Sequence, residues 1–340
     1  MKERNKSDFT SALHQLNSQL ISSCRCILVV GSFAEGLQSS TSDLDLFVIA
    51  DDYNGPFFNE IASGKYEGRT IEVKLLTSTS IAAALERYRS DSYAPYDPRE
   101  LEYIHKICTG IPIYGESQAS TLKLDFDHQV FCRNMTKYYS NYATDIFMDY
   151  VGAVVENDII SSIAFADFMV ETAADGWLAS RGDTYPKSKW RGRRIMRQSA
   201  PSELLSHYRR HVYQCRIDKI EDHSRYILDC FMLLMRLKCA TEFGISPNET
   251  SCVQQLKLCK PLMISKYPKG YICRTLEKAY AIDSIAAAIL LCCYEPRSKE
   301  SIIEQVNLMF NNTSLSQVTA SSVLGRIESL VSLGVISEDI

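Results

Sequence analysis

The chain has 340 residues, 46% of them hydrophobic and 23% charged, enough for two or three domains at about 100–200 residues each. Its formal net charge of −4 excludes a global basic field of the kind that draws in bulk nucleic acid. No run of about 18 apolar residues occurs, and the charged start "MKERNKSDFT" lacks a signal-peptide core, so no membrane span is expected and the cytoplasm is the expected location.

Leu13, Leu16, Leu20 and Ile21 recur at helical spacing and predict an amphipathic helix over Ser7–Ser23. "CILVV" then reads as a buried strand. Gly31-Ser32 breaks it, and Ser32 is expected to cap a short helix running to Gly36. "LDLFVIA" is a second strand and "RTIEVKLLT" a third. "STSIAAALERYRS" and "PRELEYIHKICTG" follow as helices, the latter stopped by Gly110. From about Leu122 to Phe243 glycine is rare and helical periodicity dominates. Three segments there are long enough for bundle helices: "VFCRNMTKYYSNYATDIFMDYVGAVV", "IISSIAFADFMVETAADGWLASRG" and "HSRYILDCFMLLMRLKCATEFG". After about Ser246, "IAAAILLCCYEPRSKESIIEQVNLMF" predicts helix, turn, helix. "SQVTASSVLGRIESLVSLGVI" predicts a third helix, which makes a small unit of winged-helix type. The expected domains are therefore 1–120, 121–245 and 246–340. The twelve cysteines are scattered with no C-x-x-C pair, so they are expected reduced and mostly buried, and no paired spacing supports a cysteine-framed zinc site.

The densest chemistry lies in "VVGSFAEGLQSSTSDLDLFVIA". Strand alternation places Asp43 and Asp45 on one face, where two like charges repel unless a cation lies between them. Hard oxygen ligands suit Mg²⁺, an ion often shared with substrate phosphates. Glu72, isolated in the apolar strand "TIEVKLL", offers a third carboxylate if that strand is a neighbour. Gly31 lets a backbone approach an anion, and Ser32 adds a hydroxyl.

Together these residues resemble the signature of the nucleotidyltransferase superfamily typified by DNA polymerase beta, over about Ile27 to Leu76. The resemblance implies a mixed sheet of about five strands with flanking helices, of which three strands are legible. The expected fold is thus α+β: this sheet, then a helical bundle and the winged-helix-like unit. It further implies that Asp43, Asp45 and Glu72 hold two Mg²⁺ ions, and that Gly31, Ser32 and Ser42 contact the triphosphate of a donor nucleotide, ATP. The "IEVKLL" context is most similar to antibiotic-modifying adenylyltransferases, in which this glutamate takes the proton of an acceptor hydroxyl. The implied reaction moves AMP to a hydroxyl or phosphate on a small molecule or peptide and releases pyrophosphate. Nucleotide addition to RNA or tRNA ends is an alternative that the negative net charge disfavours. A non-catalytic nucleotide-binding scaffold is another, disfavoured by the intact acids.

"RGDTYPKSKWRGRR" gathers Arg181, Lys187, Lys189, Arg191, Arg193 and Arg194 in fourteen residues. It is expected to be a loop, with Lys189 and then Lys187 on the triphosphate, and Trp190 and Tyr185 free to pack or to stack on a base. Tyr138, Tyr139 and Tyr142 suit either bundle packing or an acceptor cleft. His207, His211 and Cys215 are spaced to share a helix face, but Arg209 and Arg210 lie among them and no metal is assigned there. His14, His105, His128 and His223 are scattered and carry no role. The C-terminal unit resembles both winged-helix DNA-binding modules and modules that bind peptide leaders; acidic Glu300 and Glu304 argue against a DNA groove, and the unit either only packs or takes a peptide as an added strand or in a groove.

Overall fold

The computed structural model describes residues 24–51, 61–66, 69–89, 98–124, 126–200, 202–213, 219–220, 222–243, 255–259, 262–267, 270–294, 297–311 and 318–339. The helix expected over 7–23 lies outside them, as does Cys215. The fold is α+β, and the chain divides into two compact units. One is Met1–Asn134 with Gly182–Arg193; the other is Met135–Arg181 with Arg194–Ile340. Among the described residues no helix is long and apolar enough to cross a membrane.

The first unit is built on a five-stranded mixed sheet of order β3-β4-β2-β1-β5. The three legible strands are β1 (Cys24–Val30), β2 (Leu44–Ala50) and β4 (Arg69–Thr77). The structure adds two edge strands, β3 (Ile61–Tyr66) and β5 (Ile111–Tyr114). β2 and β4 run parallel, and the other pairs are antiparallel. Leu44, Leu46 and Val48 join Ile71, Val73 and Leu75 in one apolar cluster, to which β1 adds Ile27 and Val29. Burying each such side chain stabilises the sheet by roughly 1.5–3 kcal/mol. The intervening residues Asp45, Phe47, Glu72 and Lys74 consequently face the other way. That face meets α3 (Pro98–Thr109), with the Phe47 and Tyr103 rings 5.5 Å apart. The remaining helices of this unit are α1 (Gly31–Ala34), α2 (Ser78–Arg89) and α4 (Glu116–Leu124). The Thr77 hydroxyl accepts from the Ser80 N–H at 3.1 Å, so the last residue of β4 also starts α2.

The second unit takes in most of α5 (His128–Val155), then α6 (Ile159–Ser180), α8 (Ser202–Tyr213) and α9 (His223–Phe243), with α7 (Arg191–Arg197) entering it at Arg194. Their core holds Phe147, Trp177, Phe231 and Leu234. Asp158 caps α6 by accepting from the Ser161 N–H at 3.0 Å. Within this core Arg194 donates to Asp175 at 3.1 Å, both side chains almost fully buried. The three C-terminal helices are present as α10 (Ser284–Cys292), α11 (Lys299–Asn311) and α12 (Ala320–Ser332). Two small sheets accompany them that the pattern did not announce. One is antiparallel β7-β8-β9 (Leu262–Tyr267, Gly270–Thr275, Ala279–Ile282). The other pairs β6 (Gln255–Leu258) with β10 (Ile336–Asp339). α10 is buried from Ala286 to Cys292, which is why its sequence is apolar on every side.

Candidate functional site

The parallel register of β2 and β4 sets Asp45 directly beside Glu72. The two carboxylates therefore leave the same face of the sheet from adjacent strands, as the expected neighbourhood required. Asp43 differs from expectation: β2 begins at Leu44, so the sheet holds only Asp45, and Asp43 precedes the strand as an exposed residue. The approach to it is pinned from β4. Arg69 donates to the carbonyls of Ser39 (3.3 Å) and Ser42 (3.2 Å), and its guanidinium lies 5.4 Å from the centre of the Phe33 ring. The Ser42 hydroxyl in turn accepts from the Ser39 N–H at 2.8 Å.

Across from Asp45 stands the Gly31-Ser32 turn. Gly31 has φ +67°, and a Cβ there would meet Asp45 Oδ2 at 2.1 Å. Glycine is thus required twice over, by backbone conformation and by space. Ser32 is buried beneath the turn but does not cap the helix. The capping position is Val30, with no side-chain bond, because the turn at Gly31 starts the helix a residue earlier, and α1 ends at Ala34 rather than Gly36. Carboxylate oxygens are the ligand type a hard divalent cation takes: Asp45 and Glu72 present them side by side and Asp43 lines the same cavity, without the three closing to within 4.8 Å of one another, and the backbone turn opposite is kept clear of a side chain.

These groups open into a cavity of about 440 Å³ that also presents Ser32, Ser42, Lys74, Lys106, Lys187 and Lys189. Ser39, Thr41, Tyr185, Trp190 and Glu102 complete the wall, and among the described residues the Trp190 Nε1 is buried with no hydrogen-bond partner. Glu102 organises the cations. Lys106 lies 3.0 Å from it, one helical turn along α3, and Lys187 donates to it at 2.8 Å. Burial pushes the Glu102 carboxyl up, but Lys106 and Lys187 together outweigh burial and hold it below its ordinary range. Lys74 donates to the Tyr103 hydroxyl at 3.0 Å. Burial there acts to lower the ammonium, and Tyr103, Glu102 and Asp45 overcome it to leave Lys74 raised. A concavity of about 470 Å³ lies elsewhere, along α11, lined by Glu300, Ile303, Glu304, Asn307 and Leu308. It draws on a single helix and converges no opposing groups.

The expected basic loop is partly helical and is divided between the two units. Ser188–Trp190 form a 3₁₀ turn that leads straight into α7. Lys187 and Lys189 line the cavity. Arg193 packs over Trp190 at 4.9 Å and donates to the Leu37 carbonyl. Arg194 belongs to the buried pair with Asp175, and Arg181 lies over Trp177. A run of cations in sequence is not a patch in space: helical rotation turns Arg191 and Arg194 inward, where both are buried.

His105, given no role from sequence, is a junction of the first unit. Its Nε2 lies 2.9 Å from Glu35 Oε1, its Nδ1 lies 2.8 Å from Thr184 Oγ1, and its ring packs on Tyr185. It thereby ties the segment after the glycine turn to the segment carrying Lys187. Glu102 and Lys106 were also missed. The signal was their four-residue spacing in "ELEYIHK", which reads like any exposed helix pair.

In the second unit Tyr138 stacks on Tyr142 with ring centres 5.9 Å apart, and Tyr142 meets Phe168 edge-on. His211 Nε2 lies 3.7 Å from Asp167 Oδ1. Among the described residues, its group with Asp167 and Cys230 is the one trio of metal-ligand type whose atoms lie within 4.8 Å of one another. Lys219 already supplies the positive charge there, 2.9 Å from Asp167 and over the Tyr226 ring. Burial pushes the Cys230 thiol up to about 12. The trio is accordingly a hydrogen-bonded ion-pair network holding α6, α8 and α9.

Residues 25–96 match the family model for a nucleotidyltransferase domain. No curated protein matches the chain. Among solved structures it is similar to a nucleotidyltransferase-like protein from Exiguobacterium sibiricum 255-15, with 12% identity and a TM-score of 0.39 over 69% of this chain and 79% of that one.

Proposed function

The chain carries a domain of the nucleotidyltransferase superfamily at residues 25–96, and from that premise we propose that it is a Mg²⁺-dependent adenylyltransferase. It moves AMP from ATP to a hydroxyl or phosphate of a small-molecule or peptide acceptor. The observation that carries this reading is the register pairing of Asp45 with Glu72 opposite a glycine turn that only a missing Cβ allows.

Asp43, Asp45 and Glu72 would hold Mg²⁺, which when bound supplies charge neutralisation at the transferring phosphate. Lys187 and Lys189 bind the polyphosphate, and the Ser32 and Ser42 hydroxyls orient it. Glu72 accepts the proton of the acceptor hydroxyl as that oxygen bonds to the α-phosphorus. The bond from the α-phosphorus to the bridging oxygen breaks, and pyrophosphate leaves toward the lysines. Trp190 offers an aromatic face beside them for the base. The cytoplasm is part of this proposal, and it suits buried thiols such as Cys26, which burial pushes up to about 11.

The cavity gathers Lys74, Lys106, Lys187 and Lys189 in one compact group, which supports a triphosphate over a long RNA track, since such a track needs an extended row of phosphate contacts. The test is pyrophosphate release on incubation with ATP, Mg²⁺ and a panel of acceptors. Equal release by a protein carrying both Asp43→Ala and Asp45→Ala would sink the proposal.

A further inference from the structure

The Lys106 ammonium lies between two carboxylates that differ in purpose. It is 3.0 Å from Glu102 and 3.9 Å from Asp45 Oδ1. Its side chain is 4% exposed and lies 5.6 Å from the centre of the Phe47 ring, so water contributes little to its solvation. Such a charge must keep a counter-charge at hand, because an unpaired buried ion is strongly unfavourable. Glu102 supplies it at hydrogen-bond distance, while Asp45 stays beyond it. Glu102 is itself fixed from the other side by Lys187, which contacts both of its oxygens at 2.8 Å. A further ammonium of the cavity, Lys74, donates to the Tyr103 hydroxyl.

We propose that Glu102 is a positioning residue that holds Lys106 away from Asp45 and so keeps that carboxylate available to a divalent cation. The inference rests on the reading of Asp43, Asp45 and Glu72 as metal ligands. Without the Glu102 charge, Lys106 has among the described residues one carboxylate left within 4 Å, Asp45, and closing 3.9 Å to a direct ion pair places an ammonium where the metal would bind. Lys187 behaves differently. At 39% exposure it loses a partner and turns to water, so its release does not fill the site.

The experiment titrates Mn²⁺ alone into the full chain and follows binding by the relaxation of water protons. Glu102→Gln keeps the shape and one acceptor oxygen but removes the charge. It is expected to bind Mn²⁺ about tenfold more weakly than wild type, the worth of one charge-assisted hydrogen bond competing for Asp45. Adding Lys106→Met to it removes the competitor and is expected to restore binding to within about twofold of wild type. Lys106→Met alone, which stays readable if Glu102→Gln does not fold, is expected to bind at least as tightly as wild type. Unchanged binding in Glu102→Gln, no recovery in the double variant, or weaker binding in Lys106→Met would each overturn the inference. A wild type that shows the expected pattern yet releases no pyrophosphate supports this inference and removes the transferase reading. Pyrophosphate release by wild type together with unchanged Mn²⁺ binding in Glu102→Gln removes this inference alone.

Discussion

The Cβ that Gly31 lacks would lie 2.1 Å from Oδ2 of Asp45, so the turn and the carboxylate share space that only hydrogen can fill. Gly31→Ala must push Asp45 off its place and also hold alanine at φ +67°, which costs about 1–2 kcal/mol by itself. The expected outcome is loss of pyrophosphate release by about a hundredfold or more, since a misplacement of about 1 Å has that effect. The drop in melting temperature should stay small. A fully active Gly31→Ala protein would remove the turn from the site.

Glu72→Gln is expected to lower kcat by roughly 10²–10⁴-fold, the usual worth of a general base, and to leave the KM for ATP nearly unchanged. Steady-state pyrophosphate release gives both quantities. An equal loss in affinity and turnover would mean that Glu72 serves only as a metal ligand.

Lys189→Met should act on the donor. Removing one ammonium from the polyphosphate raises the KM for ATP about tenfold, the value of one charged hydrogen bond. Raising the salt concentration should narrow the gap between variant and wild type, because Lys189 is near the surface.

Lys238 in the second unit is buried and donates to the Ile264 carbonyl at 2.7 Å. Burial pushes its ammonium down to about 8, against 10.5 unfolded. The unfolded chain therefore binds more protons between these values, and stability attributable to this residue rises with pH across the window from about 8 to 10.5. Below pH 8 the charged group burdens the fold by about 3 kcal/mol at most. Comparing wild type with Lys238→Met in urea at several pH values isolates the effect. The variant should be the more stable at pH 7, and the difference should shrink as pH rises toward 10.5.

Asp175→Ala leaves the Arg194 guanidinium buried without its carboxylate. The expected loss is about 3–5 kcal/mol, seen as a lowered urea midpoint. Asp175→Asn, which preserves a hydrogen-bond acceptor, should lose less.

The reach of sequence into this site was uneven for physical reasons. Asp45 and Glu72 were legible because a carboxylate inside an alternating apolar strand breaks a strict pattern, and alternation fixes its face. Their register was not legible, because pairing between β2 and β4 is a long-range choice. β3 and β5 escaped notice because "IASGKY" carries a mid-strand glycine and "IPIY" is four residues with a proline. The two C-terminal sheets were hidden by shortness, being runs of four to six residues, too brief for a period to stand out. Glu102 was hidden by commonness: its partners are a helix neighbour and a lysine eighty-five positions away. The basic run misled in the opposite direction, since charge density along the chain says nothing about which faces turn inward.

The chain leaves the first unit at residue 134 and returns to it for residues 182–193. No single cut can therefore release that unit whole. A fragment ending near residue 134 would keep all three acids and forfeit Lys187, Lys189 and Trp190, along with the Thr184 anchor of His105. A proteolytic nick or premature stop between those points would leave a protein able to attract a divalent ion but poorly equipped to retain a triphosphate. The second unit is thus a condition of the first one's completeness, simply because the same strand of peptide must pass through it on the way back.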